Sequence, residues 1–174
     1  AGKLDIKIYP SSKYINNSRK VTVTIDYDED ATSKYYQIDN GGWIPYTGPF
    51  QVAKESYIYA TASGKRTIYQ NGELKEFNVT GNKSLFLRDK YYEVYITSGK
   101  SQLDSTEKTS INIDTSYHAD SVEYSLNGSD FQKYIGDFNV SANTLITARA
   151  TFTLDKGEKL CVMKFYECWK ITAE

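Results

Sequence analysis

Residues 21 to 64 read VTVTIDYDEDATSKYYQIDNGGWIPYTGPFQVAKESYIYATASG, and residues 109 to 152 read TSINIDTSYHADSVEYSLNGSDFQKYIGDFNVSANTLITARATF. The two stretches align without a gap at an offset of 88 (109 − 21). Identical pairs include Ile25/Ile113, Asp26/Asp114, Tyr36/Tyr124, Tyr46/Tyr134, Gly48/Gly136, Phe50/Phe138, Val52/Val140, Ile58/Ile146, Ala60/Ala148 and Ala62/Ala150. Ile38/Leu126, Trp43/Phe131 and Val23/Ile111 are conservative pairs. The period is too long for a solenoid unit, which leaves two tandem domains. The expected domains are residues 1–84 and 85–174, divided near Thr80-Gly-Asn-Lys-Ser84 by a short, partly apolar linker.

Each copy carries the period-2 alternation of half-buried strands. Val21, Val23 and Ile25 alternate with Thr22, Thr24 and Asp26. Tyr36-Gln-Ile38 enters the turn cluster Asp39-Asn-Gly-Gly42, matched by Asn127-Gly-Ser-Asp130 in the second copy. Tyr57–Ala62 and Leu145–Ala150 are strands, and Ser63-Gly-Lys65 and Asp155-Lys-Gly157 are expected to turn the chain into a last hairpin partner. Leading strands fall at about Leu4 to Tyr9 and Tyr91 to Thr97. No 3.6-period segment is long enough for a substantial helix. The fold class is therefore all-β: two tandem antiparallel immunoglobulin-like or fibronectin-like β-sandwiches.

Composition limits the chemistry. The 174 residues carry 21 Lys+Arg, 22 Asp+Glu and one His, a net charge of −1. Nucleic-acid affinity draws on excess basic charge, which is missing. No apolar run approaches the roughly 18 residues of a membrane-spanning helix. Ala1-Gly2-Lys3 is no signal peptide, so the chain reads as a mature or excised piece. GxSxG, HExxH, Walker and GxGxxG motifs are absent, and no carboxylate pair among Asp39, Asp137, Glu73 and Glu76 stands out as a glycosidase site. The expectation is a non-enzyme without a cofactor. The unusual feature is aromatic: 16 Tyr, 7 Phe and 2 Trp.

The segment from Tyr36 to Tyr46, with Gly48-Pro-Phe50 and Tyr57–Ala62, resembles the chitobiase/β-hexosaminidase C-terminal-type domain. In the second copy, Tyr124-Ser-Leu-Asn-Gly128, Phe131, Tyr134, Gly136 and Ile146–Ala150 carry the same pattern over about 45 residues, with Asp137 where the family has Pro. The resemblance implies a bacterial immunoglobulin-like sandwich and a non-catalytic accessory module. Such modules occur as spacers, assembly parts or glycan- and host-contact elements of secreted enzymes, cell-surface proteins and phage virions. The partners implied are a protein or a cell-surface glycan, with assembly into a larger oligomer possible, and the location is extracellular, cell-surface or virion.

Trp43, Tyr46, Asp39, Asn40, Phe131 and Tyr134 form the candidate contact set. They could stack on sugar rings and bond their hydroxyls, or they could be core and turn packing used in both copies. The unshared tyrosines Tyr9, Tyr14, Tyr27, Tyr35, Tyr69, Tyr91, Tyr92 and Tyr117 read as surface contacts. Asp26, Asp28 and Asp30 could give a Ca²⁺ ion three or four of its six to eight oxygens, although the second copy has Ser116 and His118 at the latter two positions. Uninterrupted strand alternation would place Cys161 with Met163, Phe165, Trp169 and Ile171 on the core face and Cys168 on the wetter face, leaving both thiols unpaired, whereas a hairpin centred on Lys164-Phe165 would set them opposite each other for a disulfide. The sequons at Asn16, Asn78, Asn82, Asn127 and Asn139 read as coincidence in a chain rich in Asn, Ser and Thr.

Overall fold

A computed structural model of the chain describes residues 2–171. Its two compact units divide between Lys90 and Tyr91. The expected boundary at 84/85 lies inside a strand, because the last long strand of the first unit runs on to Leu87.

The first unit contains β1 (Ile6–Pro10), β2 (Ile15–Asn16), β3 (Val21–Tyr27), β4 (Ala31–Ile38), β5 (Ile44–Pro45), β6 (Phe50–Val52), β7 (Ser56–Gln70), β8 (Glu73–Leu87) and β9 (Asp89–Lys90). One antiparallel sheet has the order β1-β3-β6 and the other β5-β4-β7-β8, while β2 and β9 form a short parallel pair. The alternating strands turn Val21, Val23, Ile25, Ile58, Ala60 and Ala62 inward to a core that Ile15, Tyr36 and Leu87 complete.

The second unit repeats the plan with β10 (Val94–Ser98), β11 (Gln102–Leu103), β12 (Lys108–Thr115), β13 (Ser121–Leu126), β14 (Gln132–Lys133), β15 (Phe138–Ser141), β16 (Leu145–Thr153), β17 (Lys159–Glu167) and β18 (Trp169–Lys170). Its sheets are β10-β12-β15 and β14-β13-β16-β17, with β11 and β18 paired in parallel. Strand registers repeat as well: Ile8 faces Ile25, and Ile96 faces Ile113. Both units are immunoglobulin-like β-sandwiches.

The residues common to both copies account for this repetition. Tyr36 stacks on Phe50 at 4.0 Å and 6°, and Tyr124 stacks on Phe138 at 4.0 Å and 5°. The backbone N–H of Ile25 donates to the Tyr46 hydroxyl at 3.1 Å, as that of Ile113 does to Tyr134 at 3.2 Å. Asp39 (φ 55°) and Asn127 (φ 52°) take the left-handed conformation that short polar side chains tolerate. Their Oδ1 atoms accept the N–H groups of Tyr57 at 3.0 Å and Leu145 at 2.9 Å, which fixes each turn against the next strand.

The copies differ at the last hairpin. In the second unit Asp155-Lys-Gly157 makes the turn, as expected. In the first, Ser63-Gly-Lys65 lies within β7 and the reversal comes at Asn71-Gly72, with φ values of 53° and 78° suited to a two-residue hairpin turn. Lys65 pairs with Asn78, whereas its counterpart Thr153 pairs with Lys159, so the first hairpin is longer by 13 − 6 = 7 residues. The extra length is a two-stranded ribbon with Tyr69 and Leu74 exposed near its tip.

The expected faces of the two cysteines are reversed, while both thiols are unpaired as expected. Leu160, Val162 and Tyr166 pack on the core, which puts Cys161, Met163 and Phe165 outward. The same alternation carries past the end of β17 at Glu167, so Cys168, in step with Leu160, Val162 and Tyr166, faces inward. Trp169 and Ile171 are consequently exposed, Cys168 is buried, and both thiols are free. Burial raises the pKa of the Cys168 thiol, which disfavours its reactive thiolate form.

An aromatic knot specific to the first unit gives it an alkaline sensitivity. Tyr27 lies 5.4 Å from Tyr46 and its hydroxyl donates to the Tyr35 carbonyl at 2.7 Å. Burial, and then the neighbouring Tyr46 and Tyr36, push its pKa from 10.0 to about 12. Below pH 10 the phenol is neutral whether the chain is folded or not. Between 10 and about 12 only the unfolded chain releases the proton, so this contribution to stability is lost as pH rises. The urea midpoint of the first unit should fall from pH 9 to 11.5, and Tyr27→Phe should make that fall shallower. An unchanged pH slope in the variant would exclude Tyr27 as a source.

Candidate functional site

Strands of a sandwich alternate, so each inward Ile or Ala of β7 leaves its neighbour facing solvent. On the four-stranded sheet of the first unit those outward neighbours are Tyr57, Tyr59 and Thr61. Register then sets the rows. Tyr35 lies opposite Thr61 and Thr61 opposite Asn82; Gln37 lies opposite Tyr59 and Tyr59 opposite Ser84; Tyr57 lies opposite Phe86.

Trp43 follows the Asp39–Gly42 turn and completes the face. Its ring meets Tyr59 edge-on at 5.8 Å, and it lines a shallow hollow of about 290 Å³ with Tyr35 and Thr61. Tyr57 and Phe86 form a tilted pair at 6.1 Å, and the Tyr57 hydroxyl shares a hydrogen bond with Ser84 Oγ at 3.3 Å. Trp43 is 49%, Tyr57 48%, Phe86 52% and Tyr35 40% exposed. Five aromatic rings thus stand on one sheet face with amide and hydroxyl groups among them.

The second unit uses the same fold without this surface. Tyr35, Tyr57, Tyr59 and Thr61 correspond to Glu123, Leu145, Thr147 and Arg149 at the offset of 88. Phe131, the counterpart of Trp43, lies under the Arg149 guanidinium at 3.7 Å, and Arg149 Nε bonds Glu123 at 3.0 Å. Phe86 pairs with Tyr57 where Glu167 pairs with Leu145. The exposed Met163 and Phe165 of this unit lie on the edge strand β17.

The remaining expected contact residues take other places. Tyr46 and Tyr134 spend their hydroxyls on the backbone and their rings on the core, and Asp39 holds its turn. Asn40 is exposed in that turn. Only Trp43 of the set stands on the aromatic face. Among the unshared tyrosines, Tyr9, Tyr35, Tyr69 and Tyr91 are exposed, whereas Tyr92 is buried and lies 5.0 Å from Tyr117.

The acidic loop is not arranged as a cation site. Arg66 Nη2 bonds Asp28 at 2.6 Å and its Nε bonds Asp30 at 3.0 Å. Asp28 also accepts the N–H groups of Asp5 and Asp30; these backbone bonds, with the Arg66 charge, lower its pKa. Asp26 lies on β3, opposite Lys7, and lines the same open hollow as Asp28, Asp30 and Arg66. Among the described residues no group of three or more His, Cys, Asp or Glu is placed to hold a metal.

No family model matches the chain, and no curated protein matches it. Among solved structures it is similar to one concerned with host cell surface retention of a 1.5-MDa bacterial ice-binding adhesin, at 14% identity and a TM-score of 0.39. That match covers 99% of this chain, which spans 66% of the other. A second is a mouse coronavirus receptor-binding domain complexed with its murine receptor, at 5% identity and a TM-score of 0.33, covering 96% of this chain and 100% of that one.

Proposed function

We propose that this chain is a non-catalytic structural and adhesion element of a bacterial cell-surface or phage virion protein, and that its first sandwich makes the contact. The observation that carries the reading is the difference between two copies of one fold. Tyr35, Trp43, Tyr57, Tyr59 and Phe86 stand outside the core, and the second copy folds with Glu123, Leu145 and Thr147 at three of those positions. Folding therefore does not require the rings, while exposing them costs solubility unless they meet a partner. The accessory-module reading also draws on the resemblance to chitobiase-type C-terminal domains, now carried mainly by residues that build the turn and core.

The alternative, a carbohydrate-binding accessory module of a secreted glycan-active enzyme, is favoured by the polar groups among the rings, Gln37, Asn82 and Ser84. The test is sedimentation of the labelled chain with a panel of Gram-positive cells. Trp43→Ala should reduce the bound fraction about tenfold, the loss typical of one central aromatic anchor, and Phe131→Ala should not. Equal binding by the wild type and Trp43→Ala would remove the first sandwich's aromatic face from the account.

A further inference from the structure

The aromatic face has a chemical character that narrows its occupant. Three rows cross the sheet through Ser33–Ser63–Thr80, Tyr35–Thr61–Asn82 and Gln37–Tyr59–Ser84, and the Tyr57–Phe86 pair makes a fourth. None of these outward positions holds Asp, Glu, Lys or Arg. Asp39, at the margin, has an Oδ1 already committed to the Tyr57 N–H. Yet a quarter of the whole chain is charged, 25% by count, so an uncharged face of this breadth departs from its own surroundings.

Partners that are recognised through charge find no complement on such a face. A neutral sugar chain does. Its C–H faces stack on aromatic rings, and its hydroxyls both donate and accept. Both functions lie between the rings here: hydroxyls on Ser84, Thr61 and the tyrosines, and amides on Gln37 and Asn82. Gln37 is held in place by its own Nε2 donating to the Gly41 carbonyl at 3.0 Å. Trp43 and Tyr35 wall the hollow of about 290 Å³, and Tyr57 and Phe86 continue the aromatic surface to strand β8. Four strands at roughly 4.8 Å spacing make the platform about 14 Å wide, the reach of a chain of sugar rings and more than a single monosaccharide needs.

We propose that the outer face of the first sandwich, built from Tyr35, Trp43, Tyr57, Tyr59, Phe86 and Asn82, binds a neutral, extended polysaccharide. This deepens the adhesion reading and rests on it. Trp169→Phe leaves Trp43 as the sole indole, since the chain has 2 Trp. That variant is titrated with neutral hexasaccharides (β-1,4-glucan, β-1,4-N-acetylglucosamine, α-1,4-glucan) and with an anionic one, hexameric alginate, while Trp43 emission is followed.

At least one neutral hexasaccharide should shift the emission saturably, its monosaccharide should bind at least tenfold more weakly, and alginate should give no shift. Tyr57→Ala and Asn82→Ala should each weaken the neutral ligand about tenfold, with the thermal midpoint of the chain retained. Binding of alginate alone, or no shift with any hexasaccharide, overturns the glycan assignment. If the Trp43→Ala chain still loses cell binding in that case, adhesion stands and the occupant is not a neutral glycan. If cell binding never depended on Trp43, both fail.

Discussion

Phe152→Ala is expected to remove about 3–5 kcal/mol from the second sandwich, the cost of deleting a fully buried ring and leaving its cavity. Phe152 is 0% exposed and meets Tyr92 edge-on at 5.1 Å. A sandwich of this size has roughly 4–13 kcal/mol in total, so the loss takes from about a quarter of its stability to all of it. Trp169 in the second unit reports the effect in a urea titration, and Trp43 reports on the first. A Trp169 midpoint unchanged by the substitution would mean that Phe152 does not hold that core together.

The same position in the first copy is Gly64, because 152 − 88 = 64. A Cβ there would come within 2.0 Å of the Asp30 carbonyl oxygen. One copy fills this point of the sheet with its largest fully buried side chain, and the other fills it with the backbone of the β3–β4 turn. That exchange explains much of what could and could not be read in advance. Gly64 between Ser63 and Lys65 has the composition of a turn, but its glycine serves close backbone approach within a strand. Reading Gly64 as the turn hides the seven-residue lengthening of the hairpin, whose reversal comes at Asn71-Gly72.

Residues shared by both copies were legible as fold builders: Tyr36/Tyr124, Tyr46/Tyr134 and Phe50/Phe138 occupy matching places with matching geometry. The same sharing made them poor guides to a contact surface, since what both copies keep is what the sandwich needs. The informative positions were the unshared ones. Tyr57 and Tyr59 alternate with Ile58 and Ala60, so period 2 alone places them outward. Their assembly with Trp43 and Phe86 required the register of β4, β7 and β8, which no local pattern encodes. Cys168 was missed for a related reason. Parity along the strand holds from Leu160 to Ile171, but parity does not say which of the two faces is inward, and the apolar Met163, Phe165, Trp169 and Ile171 lie on the outer one.

The second large effect concerns the face itself. Replacing Tyr35, Tyr57 and Tyr59 with the residues of the second copy (Tyr35→Glu, Tyr57→Leu, Tyr59→Thr) removes the aromatic platform while using side chains the fold already accepts at those sites. Tyr35 and Tyr57 are 40% and 48% exposed, so their loss should cost the first sandwich no more than about 1 kcal/mol of stability. Binding to cells should fall by about two orders of magnitude, because central aromatic anchors dominate contact energies and three are removed together. The decisive measurement pairs the Trp43-reported urea midpoint of this triple variant with its sedimentation on Gram-positive cells. The account predicts a retained midpoint with binding lost; a retained midpoint with wild-type binding would contradict it.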